Sequence, residues 1–199
     1  MPIKTHYPGF SVLDEERKWD PHTRAIVKSR TGSFGEPSVL TAEQTRALKA
    51  VLVQLIADDR AEILRYLVDH LDQKLRNPIG QAERKTGIPS FSKLLPMGLD
   101  NLDRYCVQHQ GGSFDQIAHE EQCRLLQSIA QGALPVGNHW GSPHQSEFFT
   151  QLLAEAVSAY YSHPWVWSSI GYAGPAYPRG YMRIELGLTE PWEANRHGE

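Results

Sequence analysis

Nine histidines and a scatter of paired carboxylates are the first places to look for chemistry in this 199-residue chain. His139, His144 and His163 fall in two loops that flank one helix-forming stretch, so they could converge on a metal. Zinc takes three or four such ligands, usually with two at short helical spacing. His139 and His144 stand five apart across Pro143, on no helix face, and solvated or capping histidines are the simpler reading. His119-Glu120-Glu121 lacks the second histidine of H-E-x-x-H, which a metalloprotease helix needs. Asp58-Asp59 and Glu120-Glu121 are adjacent, so each pair splays on a helix and fits the acids of a helix start facing the macrodipole. Ser168-Ser169 has no G-x-S-x-G elbow and no patterned base.

Redox chemistry fares no better on residues of this chain. A dinucleotide needs a glycine-rich turn between strand and helix, and G-x-G-x-x-G occurs nowhere; Gly171, Gly174 and Gly180 have other spacings. The P-loop and C-x-x-C-H are missing too. Cys106 and Cys123 read as buried small hydrophobes, with a disulfide between them or to a second chain as alternatives. A net charge of −3 without a basic cluster speaks against nucleic acid. No apolar run is long enough to span a bilayer. The N-terminus lacks an h-region and a twin arginine, so the cytoplasm is expected, or the periplasm if a leader has been removed.

The elements follow from apolar spacing. Residues 1–40 are broken by Pro2, Pro8, Gly9, Pro21, Gly32, Gly35 and Pro37, and predict an extended arm with at most one short helix, capped by Asp20 with Pro21 in its first turn. Thr41 and Gln44 form a capping box for a helix carrying Leu48, Val51, Leu52 and Leu55. A second helix is predicted over Ala61–Arg76, ended by Asn77-Pro78. Further helices are predicted over about Leu94–His109, from Ser113 to Gly132, and over about Gln145–Tyr161. The sole strand candidate is Tyr181–Leu186. The expectation is an all-α single domain: an irregular bundle of about five helices at 41–161, an N-terminal arm at 1–40 and an aromatic, Gly/Pro-rich C-terminal arm at 162–199.

That last arm is the unusual part. Residues 160–192 hold 8 of the chain's 19 aromatics, four prolines, four glycines and only four charges. Rings on an irregular segment need a surface to cover them: the chain's own helices, a partner, or a share of each. Arg179 and Arg183, nearly alone among the rings, are candidates to pair with an acid on a partner, or are plain surface charges. The candidate partner-binding set is Trp165, Trp167, Tyr172, Pro175, Tyr177, Arg179, Tyr181, Arg183 and Trp192.

Tyr7-Pro8-Gly9-Phe10, Phe148-Phe149, His163-Pro164-Trp165 with Trp167, Ile170-Gly171-Tyr172-Ala173-Gly174-Pro175-Ala176 and Pro178-Arg179-Gly180-Tyr181 resemble the gluconate 2-dehydrogenase subunit 3 family, over about residues 7–193. The resemblance implies a small subunit without a cofactor of its own. It would bind and stabilise a large FAD-dependent dehydrogenase of the glucose–methanol–choline type, sometimes with a cytochrome c subunit beside it. In that family the small subunit often guides export through the twin-arginine route, a role the N-terminus as written does not support. Two other readings are a stand-alone helical metalloenzyme using His139, His144 and His163, and a chaperone that leaves once the flavoprotein is mature.

Overall fold

The computed structural model describes residues 5–77, 85–135, 140–183 and 188–195. They are all-α, with no strand. A 3-10 helix at Val12–Lys18 is followed by α1 (Pro21–Ser29), α2 (Ala42–Ile56), α3 (Ala61–Arg76), α4 (Phe91–Gln110), α5 (His119–Ala130), α6 (Ser142–Tyr160) and α7 (Pro164–Ile170). Eight helical elements thus replace the expected five or so. The additions lie in the two segments expected to be arms.

The chain divides into two compact units, one of residues 34–158 and one that brings together its beginning, to Ser33, and its end, from Ala159. The larger unit is a leucine-rich body. In α2, Thr41 accepts from the Gln44 N–H at 3.2 Å while the Gln44 side chain accepts from the Thr41 N–H at 3.0 Å, the reciprocal cap its sequence predicts. α2 packs on α3, α4 and α5, and α3 packs on α4. Leu48, Leu52, Leu67, Leu71, Leu95 and Leu99 are fully buried among them. Each such side chain contributes about 1.5–3 kcal/mol of transfer free energy. Gly98 lets the Phe148 ring press on α4, since a Cβ there would lie 2.2 Å from the ring.

Helix starts differ from expectation where tertiary bonds intervene. α4 begins at Phe91, so Pro96 lies inside it and deletes one ladder bond without ending it. α5 begins only at His119. Phe114, fully buried, has its N–H held by the Asp103 carboxylate at 2.9 Å and its carbonyl by the Gln122 amide at 2.7 Å. Those two bonds hold the 113–117 stretch as a turn. α6 starts earlier than predicted, at Ser142, with Pro143 in its first turn.

Asp72, buried on α3, fastens the segment leading into α2. Its carboxylate accepts from the N–H groups of Ser38, Val39 and Leu40 and from the Ser38 hydroxyl, and pairs with Arg76 at 2.9 Å. Burial alone would raise its pKa; the backbone donors outweigh burial and hold it below the ordinary carboxylate value.

Candidate aromatic contact surface

The smaller unit is built by residues far apart in sequence. At its centre are Val12, Trp19, Val27 and Trp167, with Phe10 and Leu13 packed against them. α7 explains why Trp167 can reach this core. His163 caps it, Nδ1 accepting from the Trp165 N–H at 3.2 Å; Pro164 opens the first turn, and Gly171 closes it at φ +75°. The proline-rich tail expected to be irregular therefore starts with a two-turn helix. The Trp167 indole N–H donates to the Tyr161 carbonyl at 2.5 Å, and the Arg30 guanidinium lies over its ring at 5.6 Å.

The N-terminal segment docks on α7 and on the turn that follows it. The Val12 N–H donates to the Ser168 hydroxyl at 3.1 Å, and the Thr5 hydroxyl to the Ser169 carbonyl at 2.7 Å. Two glycines permit the approach. A Cβ on Gly171 would lie 2.5 Å from the Tyr7 ring, and one on Gly174 would lie 2.9 Å from Val12 and Trp19. Residues 5–33 carry two short helical elements where at most one was expected: the 3-10 helix packs on α7, and α1 follows, capped by Asp20 as its sequence predicts.

The predicted contact residues fall into three groups. Trp167 is core, 6% exposed, and Trp165, Pro175 and Trp192 are half-buried. Tyr172, Tyr177 and Tyr181 face solvent at 44%, 71% and 57%, joined by Met182 at 79%, a residue the sequence reading passed over. The two arginines differ. Arg183 is exposed and donates to the Thr189 carbonyl. Arg179 is enclosed: its side chain is 6% exposed and pairs with Glu15 at 3.4 Å. It also donates to the carbonyls of Ala173 and Pro175, both at 3.0 Å, and lies 5.0 Å over the Trp192 ring. The acid found beside Arg179 is thus in its own chain.

Sequence reasoning also missed Glu190. Only 5% exposed, its carboxylate accepts from the N–H groups of Met182 and Arg183, each at 2.5 Å, and holds two stretches of the tail together. Part of the strand candidate Tyr181–Leu186 lies outside the described residues; Tyr181–Arg183 is not strand.

Of the candidate metal ligands, His139 lies outside the described residues. His144 Nε2 is 3.3 Å from the Gly87 carbonyl, and His163 is the buried cap of α7. Among the described residues no group of three His, Cys, Asp or Glu side chains is placed to share an ion. Gly111 and Gly171 close helices, unlike the strand-to-helix glycine turn of a dinucleotide cradle. Both cysteines are free. Burial first, then the charges of Asp103 and Glu121, push the Cys106 thiol up to about 12, while the Cys123 thiol donates to the side-chain oxygen of Gln54 at 2.9 Å. Among the described residues no helix is long and apolar enough to cross a membrane.

Fold and surface together define an all-helical protein whose proline-broken end is half built into a core and half turned to solvent. The chain belongs to the gluconate 2-dehydrogenase subunit 3 family, whose profile matches residues 41–174. That places it with the small subunits of multi-subunit dehydrogenases. The match takes in residues 41–158 of the body and 159–174 of the smaller unit; the first forty residues and the exposed rings from Tyr177 onward lie beyond it. No curated protein and no solved structure matches the chain.

Proposed function

We propose that this chain is a non-catalytic small subunit that binds and stabilises a large FAD-dependent dehydrogenase acting on sugars or related polyols. The flavin and the reacting groups belong to that partner, with a cytochrome c subunit as a further component. The observation that carries the reading is the solvent-facing run Tyr177, Tyr181 and Met182, exposed by 71%, 57% and 79%. Rings and thioether in this state cost hydration in a lone protein and supply anchors in an interface. Family membership supports a dehydrogenase subunit as the partner. Arg183 and the exposed rings Tyr172, Tyr177 and Tyr181 are the proposed contacts, with Trp165, Pro175 and Trp192 at their border. Trp167 and Arg179 act from beneath, by holding the tail in place.

The test is co-expression with a large FAD-dependent dehydrogenase of that type from the same source. A tagged small subunit should carry a yellow partner through size exclusion at fixed stoichiometry, and the partner expressed alone should lose flavin or precipitate. A flavoprotein equally stable alone, with the small subunit eluting as a monomer, overturns the reading.

A further inference from the structure

Arg179 is where three distant stretches of the chain meet. A guanidinium this enclosed needs a counter-charge and acceptors for its N–H groups. For the terminal nitrogens they come from Glu15 on the 3-10 helix and from the carbonyls of Ala173 and Pro175 after α7, with the ring face of Trp192 alongside; Nε is buried without a hydrogen-bond partner among the described residues. Beyond α7 the described tail has no helix of its own. Apart from Arg179 itself, the support described between Pro175 and Arg183 is the Gly180 N–H bond to the Ala176 carbonyl at 2.8 Å, the two bonds to Glu190 and the Arg183 bond to the Thr189 carbonyl. Tyr177 and Tyr181 stand two residues to either side of Arg179, so whatever fixes that arginine also fixes the backbone from which both rings project.

Glu15, for its part, stands on a fastened platform. Its helix packs on α7, Val12 bonds to Ser168, and Trp19, four residues on, is 2% exposed in the core. We propose that Glu15 and Arg179 form a latch between the N-terminal segment and the aromatic tail, which sets the placement of Tyr177, Tyr181 and Met182 before any partner arrives. At 6% and 19% side-chain exposure the pair is shielded from much of the screening that weakens surface bridges. A tail ordered in advance spares the complex the entropy of ordering it on contact. Only this last step rests on the tail facing a partner; the latch itself is a property of the chain alone.

Amide exchange on the full-length chain tests the latch. Arg179→Ala and Glu15→Gln should each speed exchange across 175–183 by about tenfold or more, with α2 to α5 unchanged. The double variant should exchange no faster than Arg179→Ala, because the Glu15–Arg179 contact is already lost there and the other partner of Glu15, Lys18 at 2.6 Å, lies on its own 3-10 helix and not in the tail. Arg179→Lys should fall between, since an ammonium reaches Glu15 but lacks the fork that also takes two carbonyls. An Arg179 that merely held its own neighbouring carbonyls would leave Glu15→Gln like wild type, and that result overturns the latch. Glu15→Gln also decides the matter if Arg179→Ala does not fold. In a second arm, the variants' affinity for the co-purifying flavoprotein should fall about tenfold; a loosened tail with unchanged affinity overturns the positioning role. If wild type binds no flavoprotein, the proposed function fails while the exchange arm still decides the latch.

Discussion

In the body of residues 34–158 the leucines of α2, α3 and α4 enclose one another, and the large hydrophobics left exposed among the described residues are Val39, Val107 and Val157. The unit made from the chain's two ends is smaller, yet it exposes Ile26, Tyr161, Ile170, Tyr172, Tyr177, Tyr181, Met182 and Leu188. Scattered single exposures are ordinary. A concentration of rings and aliphatics in the smaller unit is not, and it marks where contact with another molecule would be most favourable. The lesson is that apolar content alone does not locate a surface. The body is rich in leucine and hides it; the ends are rich in rings and hide only some.

The severest test of that contrast is Trp167→Ala. Trp167 closes the core of the smaller unit, so its loss should cost about 3–5 kcal/mol of that unit's stability. Urea unfolding followed by near-UV dichroism, with amide exchange to localise the effect, would measure it. Protection in α2 and α3 should persist. If the body loosened equally, the two units would be one cooperative block and the contrast would lose its energetic meaning.

Asp72 offers the matching test within the body. Removing the carboxylate with Asp72→Asn leaves three backbone N–H groups competing for one carbonyl oxygen, and should cost about 2–3 kcal/mol. The sign of the pH effect follows from the folded-state pKa being depressed. The carboxylate's contribution is fully present above the unfolded value near 3.9 and drains away as pH falls through the lower folded value. Wild type should therefore lose stability below about pH 4, and the Asn variant should show a flatter acid limb. Equal acid limbs would mean that this carboxylate does not fasten the entry to α2.

How much of this was legible from residue order depends on the range of the forces involved. The Thr41–Gln44 cap, the Asp20-Pro21 start and the span Ala61–Arg76 are set by neighbours three or four residues apart, and the sequence announces them. The turn ahead of α5 is set by Asp103 and Gln122, eleven and eight residues from the bonded atoms of Phe114, and no local pattern reveals it. α7 had a local signal that the prolines masked: Pro164 just inside its start and Gly171 just past its end. Pairing of the chain's ends could not be read at all, since Glu15 and Arg179 are 164 residues apart. For the contact surface, the residue types were evident but their division was not. Trp167 faces the core while Tyr177 faces water, and that depends on where residues 5–19 lie.

Tyr177→Ala combined with Tyr181→Ala separates folding from contact most sharply, because its expected effect on the isolated chain is the smallest. Both side chains are more than half exposed, so folding gains little from them. The double variant should unfold within about 0.5 kcal/mol of wild type. Association with a flavoprotein partner should suffer far more: rings that become enclosed only in a complex act as anchors, each worth about 2 kcal/mol when truncated. Calorimetry on the isolated chain and affinity measured on the complex would give the two numbers side by side. A large loss of stability would show the rings to be unrecognised core, and the contrast between enclosed leucines and free rings would collapse. Unchanged stability with unchanged affinity would move the contact surface elsewhere on the smaller unit, with Tyr161, Leu188 and Ile170 next in line by exposure.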